Sequence, residues 1–240
     1  MKKSLILSLA VAVSAFSHQS VAQEGQWKYS TGVDISTGDY GGDPVDTDIT
    51  YIPFTVSYQQ GRWEFKATVP WVEIEGAGTV VGAGDGGVVI GNPGVATKAT
   101  TESGLGDIWL TAKYSVEEVP AELFYLDVAA KFKIPTADED DGLGTGEFDY
   151  TLQAEVFKPL GAFTPFATLA YKVKGDPSGV ELDNVWFTSV GSDYRVSDVM
   201  NIGASLDFQE ASSSSSDDSL ELFGYLSQKM VLPQQYAHFG

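Results

Sequence analysis

Residues 123–174 read LFYLDVAAKFKIPTADEDDGLGTGEFDYTLQAEVFKPLGAFTPFATLAYKVK, three extended runs in which apolar and polar side chains alternate almost without a break. Leu126, Val128, Ala130, Phe132 and Ile134 share one face of a strand, and Asp127, Ala129, Lys131 and Lys133 the other. Phe148, Tyr150, Leu152, Ala154 and Val156 oppose Glu147, Asp149, Thr151, Gln153 and Glu155 in the second run. The third sets Ala167, Leu169, Tyr171 and Val173 against Thr168, Ala170, Lys172 and Lys174. A soluble sandwich also alternates, so the connections decide. Pro159-Leu160-Gly161-Ala162 is a tight turn, whereas Thr136 to Gly146 is a long acidic loop. Short turns at one end and long loops at the other are the plan of a transmembrane β-barrel.

The rest of the chain extends that plan. Trp27, Tyr29, Thr31, Val33 and Ile35 form one face of a first strand, and Ile52, Phe54, Val56 and Tyr58 one face of a second. After Gln60-Gly61 comes the most regular row, Trp63, Phe65, Ala67, Val69 and Trp71, with a Trp at each end as interfacial aromatic girdles require. Residues 75–103 lose the period and become rich in glycine, which predicts a long loop able to gate the lumen. No Lys-Ser or Lys-Thr pair follows those glycines, so they do not form a phosphate-binding loop. Further strands are expected at 107–116, 185–194, 201–209 and 219–228, giving about ten in an up-and-down antiparallel barrel.

Lys2 and Lys3 precede an apolar run from Leu5 to Phe16, and Ser20-Val21-Ala22 supplies small residues for cleavage. Residues 1–22 therefore read as a secretory signal peptide, 23–230 as the barrel and 231–240 as an atypical tail. No later stretch reaches the ~18 to 20 consecutive apolar residues of a spanning helix. Barrels of this kind usually finish on an amphipathic strand with a terminal aromatic. The tail, with Pro233, Gln234 and Gln235, departs from that, so either ten strands close the barrel or an intact form has twelve.

Composition removes several function classes. There is no cysteine, hence no disulfide and no thiolate metal site. Against 14 basic residues stand 33 acidic ones, which makes nucleic acid an improbable partner. Beyond the leader the single histidine is His238, in the tail, so the barrel offers no imidazole for hydrolase chemistry. The acidic run 138–141 does not fit a calcium hand, because Ala137 and Phe148 would fall at its first and twelfth ligand positions. No cofactor is expected, and weak divalent-cation binding by acidic loops is the minority alternative.

The informative polar face is the inward one. Strand parity places Lys28, Asp34, Glu64, Lys66, Asp107, Lys113, Asp127, Lys131, Lys133, Asp149, Glu155, Lys172 and Lys174 in the lumen. A lumen of this size is either a narrow aqueous path or a salt-bridged plug.

GLGDIWLTAKY (residues 104–114), KFKIPTADEDDGLGTGEFDY (131–150), KPLGAFTPFATLAY (158–171) and Gly175-Asp176 resemble the MetA-pathway of phenol degradation family. The resemblance implies an outer-membrane β-barrel that helps aromatic or other small hydrophobic compounds cross the membrane, and it supplies no catalytic residues. The expected function is thus a passive outer-membrane transporter and not an enzyme, located in the outer membrane of a Gram-negative cell. Its partners would be outer-membrane lipid and lipopolysaccharide, the barrel assembly machinery and a small-molecule solute. The alternatives are a structural or surface-interaction barrel with cation-binding acidic loops, and a soluble secreted β-protein.

Overall fold

The computed structural model of the chain describes residues 3–16, 25–38, 46–76, 80–81, 88–89, 99–116, 120, 122–213 and 216–231. All of its regular structure is β. The strands are β1 (Lys3–Phe16), β2 (Gln26–Gly38), β3 (Thr47–Gln60), β4 (Trp63–Gly76), β5 (Val80–Val81), β6 (Val88–Val89) and β7 (Thr100–Leu105). They continue with β8 (Ile108–Val116), β9 (Tyr125–Ile134), β10 (Asp149–Phe157), β11 (Phe163–Val173), β12 (Val185–Arg195), β13 (Met200–Gln209) and β14 (Asp218–Val231). β5 and β6 pair only with each other.

The others close on themselves. From β2 to β14 each stave pairs antiparallel with the next, and β1 fills the remaining gap, giving a ring of 11 strands. β7 and β8 act as one stave: β8 pairs with the first half of β4 and β7 with the second. Between them the Gly106 N–H donates to Pro70 O (2.9 Å), and a side chain at Gly106 would collide with Val72 and Pro70.

Three features differ from the sequence-based expectation. Residues 3–16, read above as the core of a leader, form β1, which pairs antiparallel with β2 and parallel with β14. The ring is therefore not wholly up-and-down, and it holds one more stave than the ten expected. Part of the stretch read as loop 75–103 is strand, because Thr100–Leu105 finds unpaired backbone on β4. Most of that expected gate, and the tail from 232 onward, lies outside the described residues.

The two ends of the ring are unlike. Gly61 (φ 58°) and Gly161 (φ 72°) adopt the left-handed conformation in the tight turns β3–β4 and β10–β11, where a β-carbon would be strained. At the opposite end β9–β10 and β11–β12 are joined by the longer connections 135–148 and 174–184.

Outward residues form the apolar rows read from the sequence. Phe54, Phe65, Leu110, Leu152, Leu169, Val190 and Leu206 are all exposed. Rings cluster near both rims: Trp27 against Tyr58 (centroids 4.8 Å apart), Trp63 against Tyr114 (4.9 Å) and Tyr125 against Phe157 (5.4 Å) at the short-turn end. Phe132 with Tyr150 (5.0 Å) and Tyr171 with Trp186 (4.9 Å) stand toward the other. Beyond the second set the alternation inverts. Glu73 and Glu75 point out, and Val72 (0 % exposed) and Ile74 (7 %) point in.

Candidate functional site

The interior face is built by register. One register row runs Lys28, Ser57, Lys66, Thr111, Lys131, Thr151 and Lys172 across β2, β3, β4, β8, β9, β10 and β11. Lysines alternate with hydroxyls along it. Of the candidates named from parity, Lys28, Lys66, Lys131 and Lys172 lie on this row, and the structure gathers most of the thirteen into three groups.

Nearest the short turns, Lys113 Nζ lies 3.0 Å from Glu64 and 3.0 Å from Asp127, and Lys66 is 3.5 Å from the same Glu64. Glu155 accepts from the Thr168 hydroxyl (3.2 Å), and Asp193 from the Tyr225 hydroxyl. Lys113, Asp127, Glu155, Asp193, Arg195 and Tyr225 border a vestibule of about 590 Å³.

Toward the long loops a second group is nearly dry. Lys133 Nζ sits 2.9 Å from Asp149 and 3.5 Å from Asp107, and donates to Thr145 Oγ1 at 2.8 Å. Lys174 adds a contact of 3.6 Å to Asp149, whose other oxygen accepts the Gly175 N–H (3.0 Å). Asp107 Oδ1 accepts the backbone N–H groups of Thr136 and Ala137, both at 3.0 Å. Buried ions are tolerated when each charge is paired and its remaining lone pairs are hydrogen-bonded, as they are here. The result pins the loop 135–148 to the ends of the neighbouring strands.

An apolar contact adds to this anchoring. Leu143, at the loop's tip, is 2 % exposed and packs with Ile49, Val72 and Ile74, flanked by Tyr51 and Ala137. Sequence reasoning missed these residues. The available signal was the inversion after Trp71, where inward positions turn apolar while Glu73 and Glu75 take the outward side.

The third group borders a cavity of about 240 Å³ between Asp34, Asp207 and Glu221. Lys172 serves it by donating to Gln209 Oε1 (2.6 Å) and by standing over the Phe187 ring, 4.7 Å from its centroid. Ser189 donates to Asp207 at 2.5 Å.

Among the described residues no group of three or more His, Cys, Asp or Glu is placed to hold a metal ion. In the acidic loop, Asp138 accepts the backbone N–H groups of Asp140 (2.9 Å) and Asp141 (3.3 Å), so one of its oxygens caps its own turn.

No curated protein matches the sequence. The family described as "Putative MetA-pathway of phenol degradation" matches residues 12–221. That range takes in β2 through β13 and thus nearly the whole ring, so a closed β-barrel with a charged interior is what this family match covers. The chain belongs to the MetA-pathway of phenol degradation family.

Proposed function

We propose that this protein is a bacterial outer-membrane barrel that passes small solutes passively through its lumen, the aromatic or hydrophobic class implied by the family being the first to try. The observation that carries the reading is the division of faces: an apolar, aromatic-rimmed exterior on a closed ring, and lysines and carboxylates inside. The exterior also has an apolar concavity of about 1020 Å³ lined by side chains such as Phe65, Leu110, Phe132 and Leu152, a surface suited to lipid chains and costly in water. Residues 1–22 act in this reading as an export leader, after whose removal β2 meets β14.

Leu143 and the Lys133 group favour a second reading, a structural or surface-interaction barrel with a sealed mouth. Planar-bilayer recordings of the refolded protein separate the two. Transport requires ion current from the wild type or from a Leu143→Asp variant; silence in both, with the barrel folded, overturns it. Recovery of the protein from the soluble periplasm or the medium would overturn the membrane assignment.

A further inference from the structure

Inside the ring one lysine stands apart. Lys66, Lys113, Lys133 and Lys174 each have a carboxylate, and Lys172 has Gln209 and the Phe187 ring. Lys131 has neither an ion pair nor a hydrogen bond among the described residues. It is flanked in register by Thr111 on β8 and Thr151 on β10. Trp109 is the next inward residue along β8, directly opposite Lys133.

Two of these neighbours are also unsatisfied. Thr151 is 2 % exposed and Trp109 9 %, and neither Thr151 Oγ1 nor Trp109 Nε1 has a hydrogen-bond partner. A buried donor without an acceptor is costly, and native interiors rarely leave one so. By register an indole N–H on β8 and a hydroxyl on β10 stand on the two strands that flank the Lys131 ammonium of β9. The nearby carboxylates are already engaged: Asp149 by Lys133, Lys174 and Gly175, Asp107 by Lys133 and the loop backbone, and Asp127 by Lys113. What this patch lacks is an acceptor bearing negative charge, since charge-assisted bonds from such donors are the strong ones. An ammonium at its centre repels cations.

We propose that Lys131, Thr151 and Trp109 form a binding site for a small carboxylate. This deepens the transport reading by giving the lumen a solute class, and rests on that reading for its physiological use. The binding itself is testable alone. Fluorine NMR of 4-fluorobenzoate with the full refolded barrel in detergent micelles should show saturable broadening, whereas the neutral isostere 4-fluorobenzamide should show none. Lys131→Met should weaken binding about tenfold or more and Lys131→Arg by no more than about threefold, as loss and retention of a charge-assisted donor predict. Thr151→Val, which removes only a donor from a similar shape, and Trp109→Phe, which removes the indole N–H together with part of the ring, should each weaken it measurably. Equal affinity of the amide, or unchanged benzoate affinity in folded Lys131→Met, overturns the site. Bilayer recordings on the same sample keep the two ideas apart. Binding with a silent bilayer retains the site and rejects transport, and current without benzoate binding does the reverse.

Discussion

Leu143 of the β9–β10 loop packs on Val72 of β4, so the loop reaches past β8 to the wall two staves away. With 2 % and 0 % exposure, the pair is a dry contact inside a lumen whose other walls are largely polar. Leu143→Ala should cost about 2–5 kcal/mol of loop anchoring, the range for emptying such a site. Leu143→Asp should release the loop. The measurement is conductance of the two variants against wild type, with a rise expected in both and a larger one for Asp.

Lys133 holds the same loop from below. Lys133→Met leaves Asp107 and Asp149 buried with less compensation, and removal of one partner from a buried ion group costs about 3–5 kcal/mol. Urea unfolding in micelles should show that loss. Adding Asp149→Asn should recover part of it, because the uncompensated charge goes; no recovery in the double variant would mean the cluster is not the cause.

Leu169 lies midway along β11 on the outward face and is 48 % exposed. If that face meets lipid, Leu169→Arg should destabilise the barrel by about 2–4 kcal/mol, the cost of an arginine near the bilayer midplane. Glu73→Arg, beyond the inversion point, should cost little. Equal effects at both positions in a lipid-refolding titration would argue against a membrane-facing wall.

Val11 on β1 is the register partner of both Val33 and Leu226. While β1 is in place, β2 and β14 are two strand spacings apart, about 9–10 Å, too far for a disulfide. Once residues 1–22 are gone, Val33→Cys should cross-link to a cysteine at Leu226 or at an outward neighbour, Gly224 or Gln228. The chain has no native cysteine to confuse the result. Absence of a bridge from position 33 to any of 224, 226 and 228 in the processed protein would show that the gap does not close directly.

Much of the wall was legible because strand parity is local: a period of two needs only neighbouring residues to assign a face. Ten staves, the tight turns at Gly61 and Gly161, and the inward side of Lys131 or Glu64 came from it. β1 did not, since Leu7, Leu9 and Val11 alternate with small Ser8, Ala10 and Ala12 inside a run equally suited to an export signal. Nor did β7, whose residues Thr100–Leu105 form a strand because β4 extends past β8 and offers backbone to pair with. The apolar contact at Leu143 was hidden for another reason. Leu143 sits in an acidic loop, and its burial depends on Ile49, Val72 and Ile74, residues far away in sequence.

The parallel contact between β1 and β14 follows from arithmetic before chemistry. A closed circle whose members must alternate between two directions can be completed only with an even number of them. Eleven staves leave one mismatched neighbour pair somewhere, and here it falls on the segment that reads as removable. Taking that segment away returns the circle to an even count, in which every boundary can be of the same kind.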